Sequence, residues 1–103
     1  MAAKKNSKRR LVVIRSCAAG VHIGEEVSKR DSGGRMVVVL ANARRLWRWR
    51  GANSLSEVAL HGVAQDYTRL AEPLPMHEVA DVVEVIEVSK AARASLTASR
   101  WAQ

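Results

Sequence analysis

The stretch VHIGEEVSKRDSGGRMVVVLANARRLWRWR, Val21 to Arg50, decides how this chain folds. Val21 to Val27 alternates apolar and polar side chains over most of its length, as a half-buried strand does. Asp31-Ser32-Gly33-Gly34 then reads as a hairpin turn, because its glycines tolerate positive φ. Met36-Val37-Val38-Val39-Leu40 is apolar throughout and predicts a strand covered on both faces. Asn42-Ala43 leads into a further predicted strand, Arg44 to Arg50. Strands joined by tight turns argue for antiparallel pairing.

The flanks extend this pattern. Leu11 to Ser16 is β-rich, and Cys17-Ala18-Ala19-Gly20 is a small-residue connection into the next strand. Downstream, Ser54-Leu55-Ser56-Glu57 fits a capping box, with Leu55, Val58 and Ala59 at helical spacing and Gly62 as the stop. Asp66 to Pro75, with two prolines, reads as a surface connection. Val79 to Val88 returns to strand composition, and Ser89 opens a C-terminal helix through Ser99, with Trp101 behind it. The expectation is an α+β fold: a small antiparallel β-sheet or partly open barrel of about five strands with two short helices. Residues 1–10 are expected to form a flexible basic tail, and 11–103 a single domain.

Of 103 residues, 48% are hydrophobic and 26% charged, which excludes wholesale disorder. A core of this size is small, so oligomerisation is a natural further source of stability. No apolar run approaches the ~20 residues of a membrane helix, and none follows the N-terminal cations as a signal peptide requires. The single cysteine, Cys17, excludes an internal disulfide framework and a multi-cysteine zinc site. The chain is therefore read as cytosolic.

The net charge of +7 is unevenly placed. Lys4, Lys5, Lys8, Arg9 and Arg10 precede the first strand, as a solubilising arm or an anchor for polyanions such as nucleic acid. Arg44, Arg45, Arg48 and Arg50 form a second concentration around Trp47 and Trp49. Period 2 would put Arg45, Trp47 and Trp49 on one strand face and Arg44, Leu46, Arg48 and Arg50 on the other. Two indoles and a guanidinium suit a flat anionic ligand, with the rings stacking on a base and the guanidinium forking onto a phosphate. The alternative is structural: the tryptophans fill a core that has no Phe, and the arginines pair across strands with Glu78, Asp81, Glu84 and Glu87.

Three segments carry a family resemblance. Asn42-Ala43-Arg44-Arg45-Leu46-Trp47, with Trp49, Gly51-Ala52 and Ser54-Leu55-Ser56, makes the pattern N-A-R-R-L-W-x-W-x-G-A-x-S-L-S. Upstream stand Val13-Ile14-Arg15-Ser16-Cys17-Ala18-Ala19-Gly20-Val21-His22 and Gly24, and downstream Val83-Glu84-Val85-Ile86-Glu87. Together they resemble a family of small bacteriophage and prophage proteins, which is in turn similar to the Thoeris anti-defence sponges. Those phage proteins sequester cyclic ADP-ribose-type signals as oligomers without hydrolysing them. The resemblance implies a phage-encoded, non-catalytic protein in the host cytoplasm. It implies a homo-oligomer holding a small anionic, nucleotide-like ligand, with no cofactor and no membrane partner. Ligand-binding candidates are Arg15, Asn42, Arg44, Arg45, Trp47 and Trp49. Two departures bear on the ligand's identity: Arg48 stands where an aromatic is usual, and the segment after Gly62 offers Tyr67 in place of a Phe.

Other chemistry is sparse. His22, His61 and His77 are widely spaced, and no His-x-x-x-His or Cys-x-x-Cys pair occurs, so no metal site is expected. Ser16 to Gly20 reads as a tight connection, or as a cradle whose backbone N–H groups approach a phosphate. No catalytic arrangement is recognisable, so no enzymatic activity is expected. Beside the sponge stand two other classes: a nucleic-acid-binding phage protein, and a virion component such as a capsid-decorating protein.

Overall fold

The computed structural model describes residues 9–101. Lys4, Lys5 and Lys8 of the expected tail lie outside the described residues. Among these residues six strands and two helices follow in order: β1 Leu11–Ser16, β2 Gly20–Ser32, β3 Arg35–Arg48, α1 Leu55–His61, β4 Arg69–Leu70, β5 Leu74–Val79, β6 Val82–Glu87 and α2 Lys90–Ala98. Every ladder is antiparallel, in the order β4-β3-β2-β1-β6, with β5 also paired to β3. The small antiparallel α+β fold expected from the turns is the fold observed.

The long strand β3 organises the molecule. One edge pairs with β2 from Arg35 to Arg45; the other takes β5 over Val38 to Ala43 and β4 at Leu46 and Arg48. β5 thus lies at the β3 end of the sheet and β6 beside β1 at the opposite end, yet only Ala80 and Asp81 separate them. The sheet must curl until its two ends meet. It remains open, since no ladder joins β5 to β6 among the described residues. Asp81 makes the corner at φ 56°. The Cys17 N–H donates to the Asp81 carbonyl at 3.1 Å and the Ser16 hydroxyl to that of Ala80 at 2.8 Å.

The curl gives the sheet two cores. Val12, Ile14, Val38, Leu40, Ala43, Val79 and Val82 meet inside it. Val13, Ile23, Leu46 and Leu70, on the outer face, pack against Val58 and Ala59 of α1 and Ala92 and Leu96 of α2. Period 2 therefore sends successive β1 side chains into different cores, and Val12, Val13 and Ile14 are all fully buried. At Gly24 the β2 and β3 backbones close up: an added Cβ would stand 3.1 Å from the Ala41 carbonyl and 3.2 Å from the Ala43 Cα.

Three expectations are corrected. The two strands expected over Met36–Leu40 and Arg44–Arg50 are one strand, ending at Arg48. Asn42, at φ 51°, lies within an irregularity where the β2 register slips, so the chain bulges there without breaking. The connection expected over Asp66–Pro75 holds β4 and the start of β5, and the strand expected over Val79–Val88 is split by the Ala80-Asp81 corner. Pro75 is tolerated because β5 has β3 as its single strand partner among the described residues.

Both helices start at serines read from the sequence. The Ser54 hydroxyl accepts from the Glu57 N–H, Glu57 reaches back to the Asn53 N–H at 3.0 Å, and the Ser89 hydroxyl accepts from the Ala92 N–H. Arg9 and Arg10, placed at the end of the tail, sit against the sheet. Arg9 stands 3.9 Å from Glu25 and Arg10 2.7 Å from Glu26, and the Glu26 N–H donates to the Arg10 carbonyl at 3.0 Å.

Candidate functional site

Arg44 and Arg45 are adjacent on β3 and meet opposite environments. The Arg44 guanidinium donates to five carbonyl oxygens: Ala71 (2.6 Å), Leu70 (3.2 Å), Leu96 (3.3 Å), Thr97 (3.4 Å) and Ser99 (2.6 Å). A guanidinium has five N–H donors, so all of them have acceptors. Three of the acceptors belong to the end of α2, where the helix presents its negative pole to a cation. Burial, with Arg100 nearby, pushes the Arg44 pKa below its ordinary value. The group stays charged, because guanidinium titrates far above neutral pH. Arg44 thus ties α2 to β3 and β4. The Arg45 guanidinium lies over Gly20, within 2.7 Å of where a Cβ would stand, and has no hydrogen bond or ion pair among the described residues.

Beside the Arg44 clamp runs an open groove of about 680 Å³. Leu11, Ile23, Leu70 and Leu96 give it apolar walls, and Asn42, Glu25, Glu72, Arg93, Arg100 and Trp101 supply its polar and aromatic lining. The Asn42 amide donates to Glu25 at 3.4 Å. Arg93 and Glu72 form no side-chain hydrogen bond or ion pair among the described residues. One Arg100 nitrogen donates to the Thr97, Ala98 and Ser99 carbonyls. Sequence reasoning marked Asn42 and Arg44 here. It missed Arg93, Arg100 and Glu72, whose helix and loop positions converge only through the fold; no local motif marks them.

The other candidates disperse. Arg15, on β1, pairs with Glu84 at 3.0 Å. Trp49 lies past the end of β3, so strand alternation no longer governs it. It turns to the outer core beside Leu46 and donates its indole N–H to the Ala52 carbonyl at 3.1 Å. Trp47 is 54% exposed. Its ring lies 5.7 Å from that of Trp101, with the Arg69 guanidinium 5.4 Å from one and 5.2 Å from the other. Arg48 stacks 4.0 Å from the Tyr67 ring and donates to its carbonyl, while Arg50 pairs with Asp66. The carboxylates weighed as partners of this patch serve other arginines: Arg30 pairs with Glu78, Arg35 with Asp81, Arg15 with Glu84 and Arg10 with Glu87.

Two smaller features complete the chemistry. The Ser16 hydroxyl accepts from the Ala18 and Ala19 N–H groups, and Asp81 takes that of Cys17, so these donors of the would-be phosphate cradle are occupied. His22 is 5% exposed and packs edge-on to His77, ring centroids 5.0 Å apart. Its Nε2 lies 2.9 Å from the Ala19 carbonyl, and the Nδ1 of each ring is buried without a hydrogen-bond partner among the described residues. Burial pushes the His22 pKa down, His77 and Arg45 add to this, and the Ala19 carbonyl opposes it. Among the described residues no three His, Cys, Asp or Glu side chains are grouped to hold a metal ion.

Residues 9–96 match the family model described as a domain of unknown function, DUF6948. The chain belongs to the DUF6948 family. No curated protein and no solved structure matches it. The DUF6948 match opens at Arg9, the first described residue, and takes in β1 to β6 and most of α2. Arg100 and Trp101, which complete the groove, lie beyond it. No helix among the described residues is long and apolar enough to cross a membrane.

Proposed function

We propose that this DUF6948 protein is a non-catalytic binding protein for a small anionic ligand of nucleotide type, held in the groove between β3, the β4–β5 connection and α2. The observation that carries this reading is the lining of the 680 Å³ groove, which combines apolar walls and Trp101 with Arg93, Arg100 and Glu72. That volume falls within the range of small-molecule sites. A phosphate would meet the Arg93 and Arg100 guanidiniums, a base would lie against Trp101, and Glu72 would accept from a ribose hydroxyl or exocyclic amine. Arg44 shapes the wall and does not reach the ligand, since its five donors are occupied.

On this reading the ligand is sequestered and returned unchanged. The likeness of the Asn42–Ser56 and Val13–Gly24 segments to phage proteins and Thoeris sponges supports a phage-encoded homo-oligomer that captures a cyclic nucleotide-type signal in the host cytoplasm. The purified protein should be heat-stabilised by cyclic ADP-ribose isomers or cyclic oligonucleotides, with a shift that grows with ligand concentration. Mass spectrometry of the denatured complex should release intact ligand. Arg93→Gln should abolish the shift without changing the unliganded melting temperature. A product that accumulates and disappears in His22, His61 or Cys17 variants would make the protein an enzyme. No shift with any of these ligands would overturn the reading, and recovery from purified particles would point to a virion component.

A further inference from the structure

Trp101 forms a β-bridge with Arg69 of β4, and β4 pairs with β3 through Leu46–Leu70 and Arg48–Arg69. Three stretches of chain therefore lie side by side at this end of the sheet. Leu46 and Leu70 face the outer core. Strand alternation sends the intervening residues the other way, and Trp47, Arg69 and Trp101 assemble outside as indole, guanidinium, indole. The rings are tilted by 38° at 5.7 Å, and Trp47 stays 54% and Trp101 43% exposed. A core has no use for such an arrangement, and large exposed aromatic surface marks an interaction site.

The chemistry around the ladder selects the partner. Arg48 and Arg100, next in sequence to the two tryptophans, donate only to carbonyl oxygens among the described residues, and none of the described carboxylates neutralises either charge. A partner must bring flat rings for the indoles and negative charge for the arginines. An acidic peptide supplies the charge but no ring. A duplex supplies charge but keeps its bases paired and stacked. Unpaired nucleotides supply both, and base stacking on aromatic side chains tolerates any sequence. We infer that the Trp47–Arg69–Trp101 ladder is a platform for single-stranded nucleic acid. Trp47, Arg48 and Arg69 do not line the groove, so this surface extends beyond the small-ligand site, with Arg100 and Trp101 at their junction.

The full chain is titrated with fluorescein-labelled oligothymidylate and oligouridylate of about 20 nucleotides, a duplex of the same length, and polyglutamate, by anisotropy at several salt concentrations. Single strands should bind at least about tenfold more tightly than duplex or polyglutamate. Trp47→Ala should weaken single-strand binding by at least about fivefold, while Trp47→Phe keeps most of it, because a phenyl ring still stacks. Arg48→Gln should weaken binding and flatten its salt dependence. Circular dichroism melts check that each variant is folded, and the exposure of Trp47 favours that outcome. Equal binding of duplex or polyglutamate, an unaffected Trp47→Ala variant, or no binding of single strands would each overturn the inference.

Discussion

The Arg44 guanidinium donates to five carbonyl oxygens and shares only those of Thr97 and Ser99 with Arg100, so Arg44→Met should take a donor from each of the five at the junction of β4 and α2. A loss of roughly 2–4 kcal/mol in urea unfolding is expected, since hydrogen bonds to a charged group are the costly ones to remove. Arg44→Lys should recover only part of it, because an ammonium has three donors and no planar fork. Nothing in the sequence distinguishes Arg44 from Arg45. Both neighbour Trp47 in a basic run, and only the arrival of α2, about fifty positions later, makes one a clamp. A second single-residue prediction concerns pH. The folded state holds His22 below its ordinary pKa, so the folded form binds fewer protons than the unfolded one. The neutral ring's contribution is fully present above the unfolded value of ~6.5 and declines as pH falls below it. Unfolding midpoints should drop between pH 7.5 and 5.5, and the drop should shrink in His22→Leu. An unchanged pH dependence in that variant would remove His22 as its source.

Among the elements, α1 ends at Gly62, which has φ 83° and donates its N–H to the Val58 carbonyl at 2.9 Å. An added Cβ there would lie 2.6 Å from the Ser95 side chain of α2. Gly62→Ala should therefore cost on the order of 1–3 kcal/mol, combining backbone strain with overpacking between the helices. A melting temperature within a degree of wild type would mean that the helices separate without penalty. This stop was legible because its signals are local: Ser54, Glu57 and Gly62 announce a short helix from within it, as Ser89 does for α2. The strands were legible wherever polarity alternates or a turn residue intervenes, as at Gly33-Gly34. The continuity of β3 was hidden by Asn42, whose amide tolerates positive φ and so lets a strand bulge where composition predicts a break. β4 was hidden for the opposite reason, since its two residues become a strand only because β3 lies beside them. The groove stayed out of view likewise, because its polar lining is gathered from β2, β3, the β4–β5 connection and α2.

For the molecule as a whole, the N-terminal boundary gives a graded truncation test. Residues 2–8 carry no large apolar side chain, so removing residues 1–8 should leave the melting temperature within a few degrees. Removing residues 1–10 should lower it further, because Arg10 accepts from the Glu26 backbone and pairs with Glu26 and Glu87. Equal melting temperatures for the two truncations would show those contacts to be dispensable. The curl of the sheet has a different consequence, one that concerns synthesis. β1 is buried on both faces, yet its partner strand β6 leaves the ribosome about seventy residues after it: Val13 pairs with Ile86. For most of translation, Leu11 to Ile14 is a short apolar β-former with one edge unmatched, the kind of segment that seeds aggregation in nascent chains. The cations at Lys4, Lys5, Lys8, Arg9 and Arg10 stand directly before it, where gatekeeper charges keep such a segment from associating with its copies. Ribosome-bound chains halted before Val82 should stay protease-sensitive, and those extended past Gln103 by a linker spanning the exit tunnel should become resistant. Lys4, Lys5 and Lys8 would then act chiefly during manufacture, and neutralising these three should lower soluble yield while leaving the finished protein's unfolding curve in place.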